Sequence, residues 1–335
     1  MISVIVPAFN ASTTIGACVE ALLKQTFSKE GYEVIVVDDA SLDQTAAIAA
    51  GYGARVISQK HRGPAAARNL GASEARGEIL LFIDADCAPS GDWIAQMVAP
   101  FKSAEIVAVK GVYEAPKGGI LPNFIQAEFE DRYRKLAKKK YIDFVDTYSA
   151  GYRRTVFLEN GGFDESFPVP SAEDVDFSFR LAQKGYKMAF APNATVAHLQ
   201  VPSLWSYLKK KYRYGYYRTR VYRKYPNKAV KDSYTPRTVP LQILLSAVFA
   251  VSLGVSSVAS QFLPVSILLL LGLLLTALPF AIRVSKRGRV VALVSPGLII
   301  LRSLAQCLGL LVGGTSLLFS KGKTVLQAER LRDQT

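Results

Sequence analysis

The chain has 335 residues, 50% of them hydrophobic, with a net charge of +14 and a mean hydropathy of +0.18. The apolar excess is concentrated in long runs after residue 238, so a soluble part of ordinary domain size is followed by a membrane part. Two histidines and three cysteines (Cys18, Cys87, Cys307) show no spacing suited to a zinc site or a disulfide framework. The basic residues cluster beside the apolar runs, which favours a membrane surface over nucleic acid as their partner.

In chain order, residues 2–6 read as a first strand. They lack the basic flank and the long core of a signal peptide, which leaves the soluble part on the cytoplasmic side of its membrane segments. The strand ends in Pro7-Ala8-Phe9-Asn10, and Ile15, Val19, Leu22 and Leu23 then recur at helical spacing over residues 14–25. A second strand over residues 33–37 ends in Asp38-Asp39-Ala40-Ser41. A helix over 43–52, a short strand over 55–58 and a helix over 65–75 with Arg68 and Asn69 follow. The run Ile79-Leu80-Leu81-Phe82-Ile83 is a buried strand that breaks into Asp84-Ala85-Asp86.

Strands alternating with helices of about ten residues predict a mostly parallel α/β sheet. Ligands of such sheets bind at the carboxyl ends of the strands. Three polar strand ends converge there: Pro7 to Asn10, Asp38-Asp39 and Asp84-Asp86. In an extended chain Asp84 and Asp86 face the same way. Such a pair suits a hard cation, Mg²⁺ or Mn²⁺, whose open positions phosphate oxygens fill; it is also the pattern of a solvated turn. No Gly-x-Gly-x-x-Gly follows the first strand, so this is not a dinucleotide-binding unit.

Four stretches in order, Val4 to Asn10, Val36 to Ser41, Gly63-Pro64-Ala65-Ala66-Ala67-Arg68-Asn69 and Asp84-Ala85-Asp86, resemble the family 2 glycosyltransferases of the GT-A fold. The resemblance covers residues 1–200. It implies that Pro7, Ala8 and Asn10 line a nucleotide pocket with Asp38, and that Asp39 recognises the base, usually uracil. Arg68 is then expected near the diphosphate, with Asp84, Ala85 and Asp86 near ribose and metal. Members of this fold often add a histidine to the metal, which makes His198 at the end of the strand over 188–198 a candidate ligand beside Asp86; a structural histidine is the alternative.

Residues 151–167 resemble the segment such enzymes place near the acceptor, with a tight turn at Gly161-Gly162. Ser171-Ala172-Glu173-Asp174 is a capping-box pattern that opens a helix running to Lys184. Asp174 occupies the position of the family's catalytic base, with Glu173 beside it on the acceptor side; helix capping is the alternative role for both. An acceptor hydroxyl needs a base to take its proton, whereas a lipid phosphate does not, so the pair favours a hydroxyl acceptor.

A helix over 123–140 ends in a basic cluster, and residues 203–226 interleave Trp205 and tyrosines with lysines and arginines, among them Arg213, which also becomes an acceptor-side candidate. This composition reads as an interfacial segment against anionic lipid. Residues 239–263 and 266–282 are each long enough to span about 30 Å of hydrocarbon. Arg283, Lys286, Arg287 and Arg289 follow the second run, which places the catalytic part in the cytoplasm. Pro296 and Arg302 interrupt residues 290–319, predicting either one tilted span or a broken re-entrant pair, the latter keeping the basic tail (Lys321, Lys323, Arg330, Arg332) inside.

The expected organisation is a catalytic domain over 1–200, an interfacial segment over 201–237, a membrane region over 238–320 and a tail over 321–335. The expected activity is metal-dependent, inverting transfer of one sugar from a nucleotide-sugar to a lipid-linked or envelope glycan acceptor, without nucleic acid. A polyprenyl-phosphate acceptor and an inactive nucleotide-sugar-binding scaffold are the alternatives. No Gln-x-x-Arg-Trp follows the base, which argues against processive synthesis.

Overall fold

The computed structural model describes residues 1–167, 169–200, 202–229 and 232–319. It divides into two compact units: residues 1–116, 133–201 and 232–234, and residues 117–132, 202–231 and 235–335. Lys321, Lys323, Arg330 and Arg332 of the tail lie outside the described residues.

The first unit is built on β1 (Ile2–Ala8), β2 (Tyr32–Asp38), β3 (Arg55–Ser58), β4 (Ile79–Phe82), β5 (Cys87–Pro89), β6 (Ile106–Glu114), β7 (Ala150–Arg153) and β8 (Lys187–His198). They form one sheet in the order β3-β2-β1-β4-β7-β6-β8-β5. The β3-β2-β1-β4 half is parallel, and β7 runs antiparallel to both β4 and β6. Near-continuous apolar runs explain the parallel half: both faces of β1 and β4 are covered, and Val4, Ile5, Val6, Leu80, Leu81 and Phe82 are fully buried. The helices α1 (Ile15–Leu23), α2 (Thr45–Gly51) and α3 (Pro64–Glu74) connect these strands, and α4 (Trp93–Val98), α6 (Arg154–Glu159) and α7 (Glu173–Gln183) accompany the other half.

The chain steps outward from β1 to β3 and then returns to β4 on the other side of β1, so β1 and β4 flank a topological switch point. Pairing of β1 with β4 stops at Ile5↔Phe82, while β1 continues beside β2 to Ala8. The sheet therefore opens past Ile5, and Pro7, which has no N–H to offer, sits where no β4 partner needs one.

The helical unit contains α8 (Leu204–Lys224), α9 (Thr238–Val258), α10 (Leu263–Val284) and α11 (Arg289–Phe319), together with the first part of α5 (Ile120–Leu136), whose last turn belongs to the first unit. Three of its helices are long and apolar enough to cross a membrane. The expected broken pair over residues 290–319 does not form: α11 is one helix through Pro296. Arg302, charged in the middle of that run, is 5% exposed, donates to Glu128 Oε1 at 2.6 Å and bonds the Gln242 side-chain oxygen. Glu128 also accepts from Lys211 Nζ at 3.0 Å and from the Tyr207 hydroxyl at 2.9 Å. Burial alone would raise the Glu128 carboxyl; Lys211 and Arg302 overcome it and hold the group well below the usual carboxylate range.

Candidate active site

At the end of β1, Asn10 takes φ +48°, and at the end of β2 Ala40 takes φ +64°; both are left-handed conformations that non-glycine residues rarely adopt. The two ends are stitched together. Asn10 N donates to Ser41 Oγ at 2.9 Å, Leu42 N to Asn10 Oδ1 at 2.9 Å, Ala11 N to Thr45 Oγ1 at 2.7 Å, and Ser12 N to Asp43 Oδ2 at 3.0 Å. Ser41 closes a stretch that carries the family resemblance, but nothing in the sequence gives a role to it, Asp43 or Thr45. Their only signal is a short Asx-type pattern at the start of α2.

The paired aspartates after β2 do different work. Asp39 is 2% exposed, and both its oxygens accept: Oδ1 from Arg62 N at 2.8 Å and Gln59 Nε2 at 2.6 Å, Oδ2 from Gly63 N at 2.8 Å, with His61 Nδ1 at 2.9 Å. It thus holds loop 59–63 over the strand end and brings His61 against the Phe9 ring, 4.4 Å between centroids. Asp38 receives Ser41 N on Oδ2 at 3.3 Å, while its Oδ1 is buried with no hydrogen-bond partner. An orphan carboxylate oxygen beside the switch point has acceptor capacity to offer a ligand.

α3 begins at Pro64 after Gly63, whose φ of +89° suits only glycine here. Arg68 on this helix has a side chain 3% exposed and does not stand open toward a diphosphate. Its Nη2 donates to Asp84 Oδ1 at 2.7 Å and its Nη1 to Glu173 Oε1 at 3.1 Å. Phe163 lies under the guanidinium, 6.0 Å from Cζ. Burial would lower the Arg68 pKa, but Asp84, Glu173 and Asp174 together raise it. One buried cation therefore ties the end of β4 to the first turn of α7.

The next residue ties the turn between. Asn69 Nδ2 donates to Phe163 O at 2.9 Å and Glu165 Oε1 at 3.1 Å, and Phe163 N donates back to Asn69 Oδ1 at 2.9 Å. Gly161 and Gly162 have φ +74° and +60°, and a β-carbon at Gly162 would sit 2.5 Å from Asn69 Oδ1. The glycine pair is required by this approach as much as by the turn.

The Asp84-Ala85-Asp86 stretch is not the extended continuation that alternation predicted. β4 ends at Phe82, and Cys87 N donates to Asp84 O at 3.0 Å, closing a turn. The carboxylates consequently separate in role. Asp84 takes Arg68, and Asp86 Oδ2 lies 3.0 Å from His198 Nε2. That last contact follows from register, since β5 and β8 pair with Cys87 opposite His198. His198 Nδ1 bonds the Gln200 carbonyl oxygen at 2.9 Å, which leaves Nε2 facing Asp86.

α7 starts at Glu173 with Ala172 as its N-cap and no side-chain cap, so the predicted capping box is not made. Glu173, 2% exposed, instead receives Ser171 N on Oε2 at 2.9 Å and Arg68 on the other oxygen. Asp174 is partly exposed, accepts from Val175 N at 2.7 Å and acts electrostatically on Arg68. Arg213 belongs to α8 of the second unit.

Residues 3–161 match the family described as Glycosyl transferase family 2. The glycosyltransferase AglE of Haloferax volcanii is 31% identical over 225 residues, covering 64% of this chain and 71% of that protein. The chain belongs to glycosyltransferase family 2. The pre-mycofactocin glycosyltransferase of Mycobacterium tuberculosis is 27% identical, covering 64% of this chain and 46% of its own length. The chain therefore spans about half of that second relative. Mannosyltransferase PcManGT from Pyrobaculum calidifontis, solved with GDP-Man and Mn²⁺, shares the fold at TM-score 0.60 and 20% identity, over 96% of this chain and 88% of that one.

Among the described residues of this glycosyltransferase, no three His, Cys, Asp or Glu side chains group closely enough to hold a metal alone. Asp86 and His198 offer an oxygen and a nitrogen 3.0 Å apart. That pair fits a divalent cation that completes its coordination with diphosphate oxygens and water.

Proposed function

We propose that the protein is an inverting, divalent-metal-dependent glycosyltransferase that moves a single sugar from a nucleotide-sugar, with UDP the expected nucleotide, to a hydroxyl of a lipid-linked or cell-envelope glycan. The observation that carries this reading is the Arg68 tie. It holds Asp84 at the switch point and Glu173 at the head of α7, so Asp174 is kept near the Asp84 to Asp86 turn.

In this reading the donor lies across the ends of β1 and β2, with Asp38 Oδ1 and the Asn10 turn facing it. The acceptor hydroxyl attacks the anomeric carbon from the side opposite the diphosphate and passes its proton to the Asp174 carboxylate. The carbon–oxygen bond to the diphosphate breaks, and its electron pair leaves on phosphate oxygen. Asp86 and His198 would hold a divalent cation there, and that cation would supply Lewis-acid neutralisation of the leaving charge. Arg68 touches neither substrate; through Asp84 and Glu173 it positions the turn that carries Asp86 and the helix head that carries Asp174.

The apolar helices support a membrane location, and Arg283, Lys286, Arg287 and Arg289 after α10 support a cytoplasmic catalytic unit. The deciding experiment is release of nucleoside diphosphate by the detergent-solubilised protein from a panel of UDP-, GDP- and dTDP-sugars. It is run with and without Mn²⁺ and a lipid extract, beside Asp174→Asn. Metal-dependent release from one donor, raised by lipid and reduced about 10²-fold or more in Asp174→Asn, is expected. Full activity of Asp174→Asn with a lipid-phosphate acceptor would replace the hydroxyl acceptor by the phosphate, and donor binding without turnover in membranes of the source cell would refute the transferase.

A further inference from the structure

Four helices of the helical unit turn polar side chains toward one cleft, at the end where α9 begins and α10 finishes. Glu128, Asp131 and Arg132 recur at helical spacing on α5, as do Thr238 and Gln242 on α9, and Thr276 and Arg283 on α10. Arg302 of α11 forms the floor. Gln242 fixes its depth: the side-chain oxygen takes Arg302, and Nε2 donates to Thr276 O at 3.3 Å, about two turns inside the end of α10. Charged walls among apolar helices are costly unless something polar meets them.

The carboxylates of this cleft are already occupied. Glu128 Oε1 takes Arg302 at 2.6 Å, and Oε2 takes Lys211 at 3.0 Å and the Tyr207 hydroxyl at 2.9 Å. Asp131 receives Arg283 on both oxygens, Nε at 2.9 Å and Nη2 at 2.6 Å. The guanidinium at the floor is not fully met. Arg302 is 5% exposed, and its buried Nε has no hydrogen-bond partner among the described residues. A buried donor in that state calls for an acceptor. Charge points the same way. Arg132, Arg283 and Arg302 face two carboxylates, Lys211 stands behind one of them, and α9 starts beside them with the positive end of its dipole.

Size narrows the occupant. The cleft encloses about 40 Å³, and a water needs roughly 10–15 Å³ on the same measure. It therefore holds roughly three oxygen-sized atoms, so a phosphate fits and a sugar ring does not. Next to the cleft residues, Leu241 and Leu244 on α9 and Leu278 and Ile282 on α10 are exposed. We propose that the cleft binds an anionic lipid by its phosphate, with an oxygen accepting from Arg302 Nε, Arg132 and Arg283 at the mouth, and the hydrocarbon chains along α9 and α10. Anionic phospholipids and phosphate-bearing lipid acceptors share this chemistry. The proposal rests on the membrane reading given above.

The test begins with flotation of the full chain in phosphatidylcholine vesicles; a chain that stays outside them refutes the membrane reading itself. The delipidated full chain in detergent is then titrated with phosphatidylglycerol, a polyprenyl monophosphate and, as the phosphate-free control, diacylglycerol. Native mass spectrometry counts the lipid retained, and the melting temperature of every variant is read in parallel. One phosphate lipid per chain is expected, held about tenfold or more tighter than diacylglycerol. Arg132→Gln with Arg283→Gln should weaken it by about tenfold or more. Thr238→Trp, which fills the cleft and keeps its arginines, should do the same, while Lys209→Gln with Lys210→Gln on α8 should leave it unchanged. Retention of phosphatidylglycerol alone supports the cleft and assigns it a resident phospholipid; preference for the polyprenyl phosphate supports it and assigns the acceptor. Equal retention of diacylglycerol, undiminished binding in Thr238→Trp, or an equal loss in the Lys209 and Lys210 variant would overturn the proposal, the last by showing a diffuse attraction to basic residues.

Discussion

Each unit has a buried ion with two partners of opposite charge, and the two are mirror images. In the sheet unit one cation, Arg68, holds two carboxylates, Asp84 and Glu173; in the helical unit one carboxylate, Glu128, holds two cations, Arg302 and Lys211. Both are dry enough that the Coulomb term is strong and the desolvation cost large, so each stands or falls as a set. The difference lies in what surrounds them. The Arg68 set borders partly exposed carboxylates at a switch point, where the positions of charges decide chemistry. The Glu128 set is closed by Tyr207 and Gln242 and joins helices. One is a positioning device for a reaction and the other a fastener.

The largest expected effect breaks the first set. Arg68→Met leaves Asp84 and Glu173 facing each other without a cation, and the loss of one partner from a buried pair costs about 3–5 kcal/mol. Because a displacement of about 1 Å at a reacting centre can cost on the order of 10²-fold, turnover per folded molecule should fall by at least that factor. Thermal unfolding and nucleoside diphosphate release check the two parts. Retained kcat with a merely lowered Tm would reduce Arg68 to a fastener like Glu128.

Next in size is the second set. Glu128→Gln should also lose about 3–5 kcal/mol, since Arg302 and Lys211 are then buried without a carboxylate. The combined Glu128→Leu, Lys211→Met, Arg302→Leu protein should recover most of that loss, because a buried ion set replaced by apolar side chains of similar volume is often neutral or stabilising. Hydrolysis of the donor in water should be near wild type in the combined variant. An equivalent apolar replacement of Arg68, Asp84 and Glu173 should abolish it. If the combined helical variant stayed as unstable as Glu128→Gln, the fastener reading would fail.

The contrast also sets what could be read from the residues alone. The strand ends were legible because apolar runs that stop abruptly at Asn10, Asp38 and Asp84 leave polar groups at one sheet edge whatever the packing. That edge follows from order and periodicity, while the GT-A fold and the family follow from the resemblance carried by four ordered motifs. Roles inside the edge were less legible. Nothing in Gly-Pro-Ala-Ala-Ala-Arg-Asn tells whether Arg68 points at a ligand or inward, because Glu173, more than a hundred residues away, decides it. The turn after β4 separated Asp84 from Asp86, although strand alternation had put them on one face; the alternation applies only while the chain is extended. His198 beside Asp86 was reachable only through the family, since it depends on the register of β5 with β8. The partners of Arg302 were invisible because a charge inside an apolar run reads as an interruption until Glu128 on a distant helix completes it.

The smallest expected effect concerns the rim of the site. Burial alone would raise the Asp43 carboxyl, but the hydrogen bonds from Thr45 and Ser12 prevail and bring it down to about 2 from 3.8. A carboxylate with a depressed folded pKa stabilises the fold above its unfolded value, and the contribution disappears as pH falls through the folded one. Asp43 therefore contributes fully above about pH 4 and loses its contribution between pH 4 and pH 2. Asp43→Asn should be slightly less stable than wild type at pH 7 and nearly equal to it at pH 2. Urea unfolding of both proteins across that window measures the convergence. A gap that stayed constant from pH 7 to pH 2 would show that Asp43 acts by shape alone, and the stitch between the β1 and β2 ends would then owe nothing to its charge.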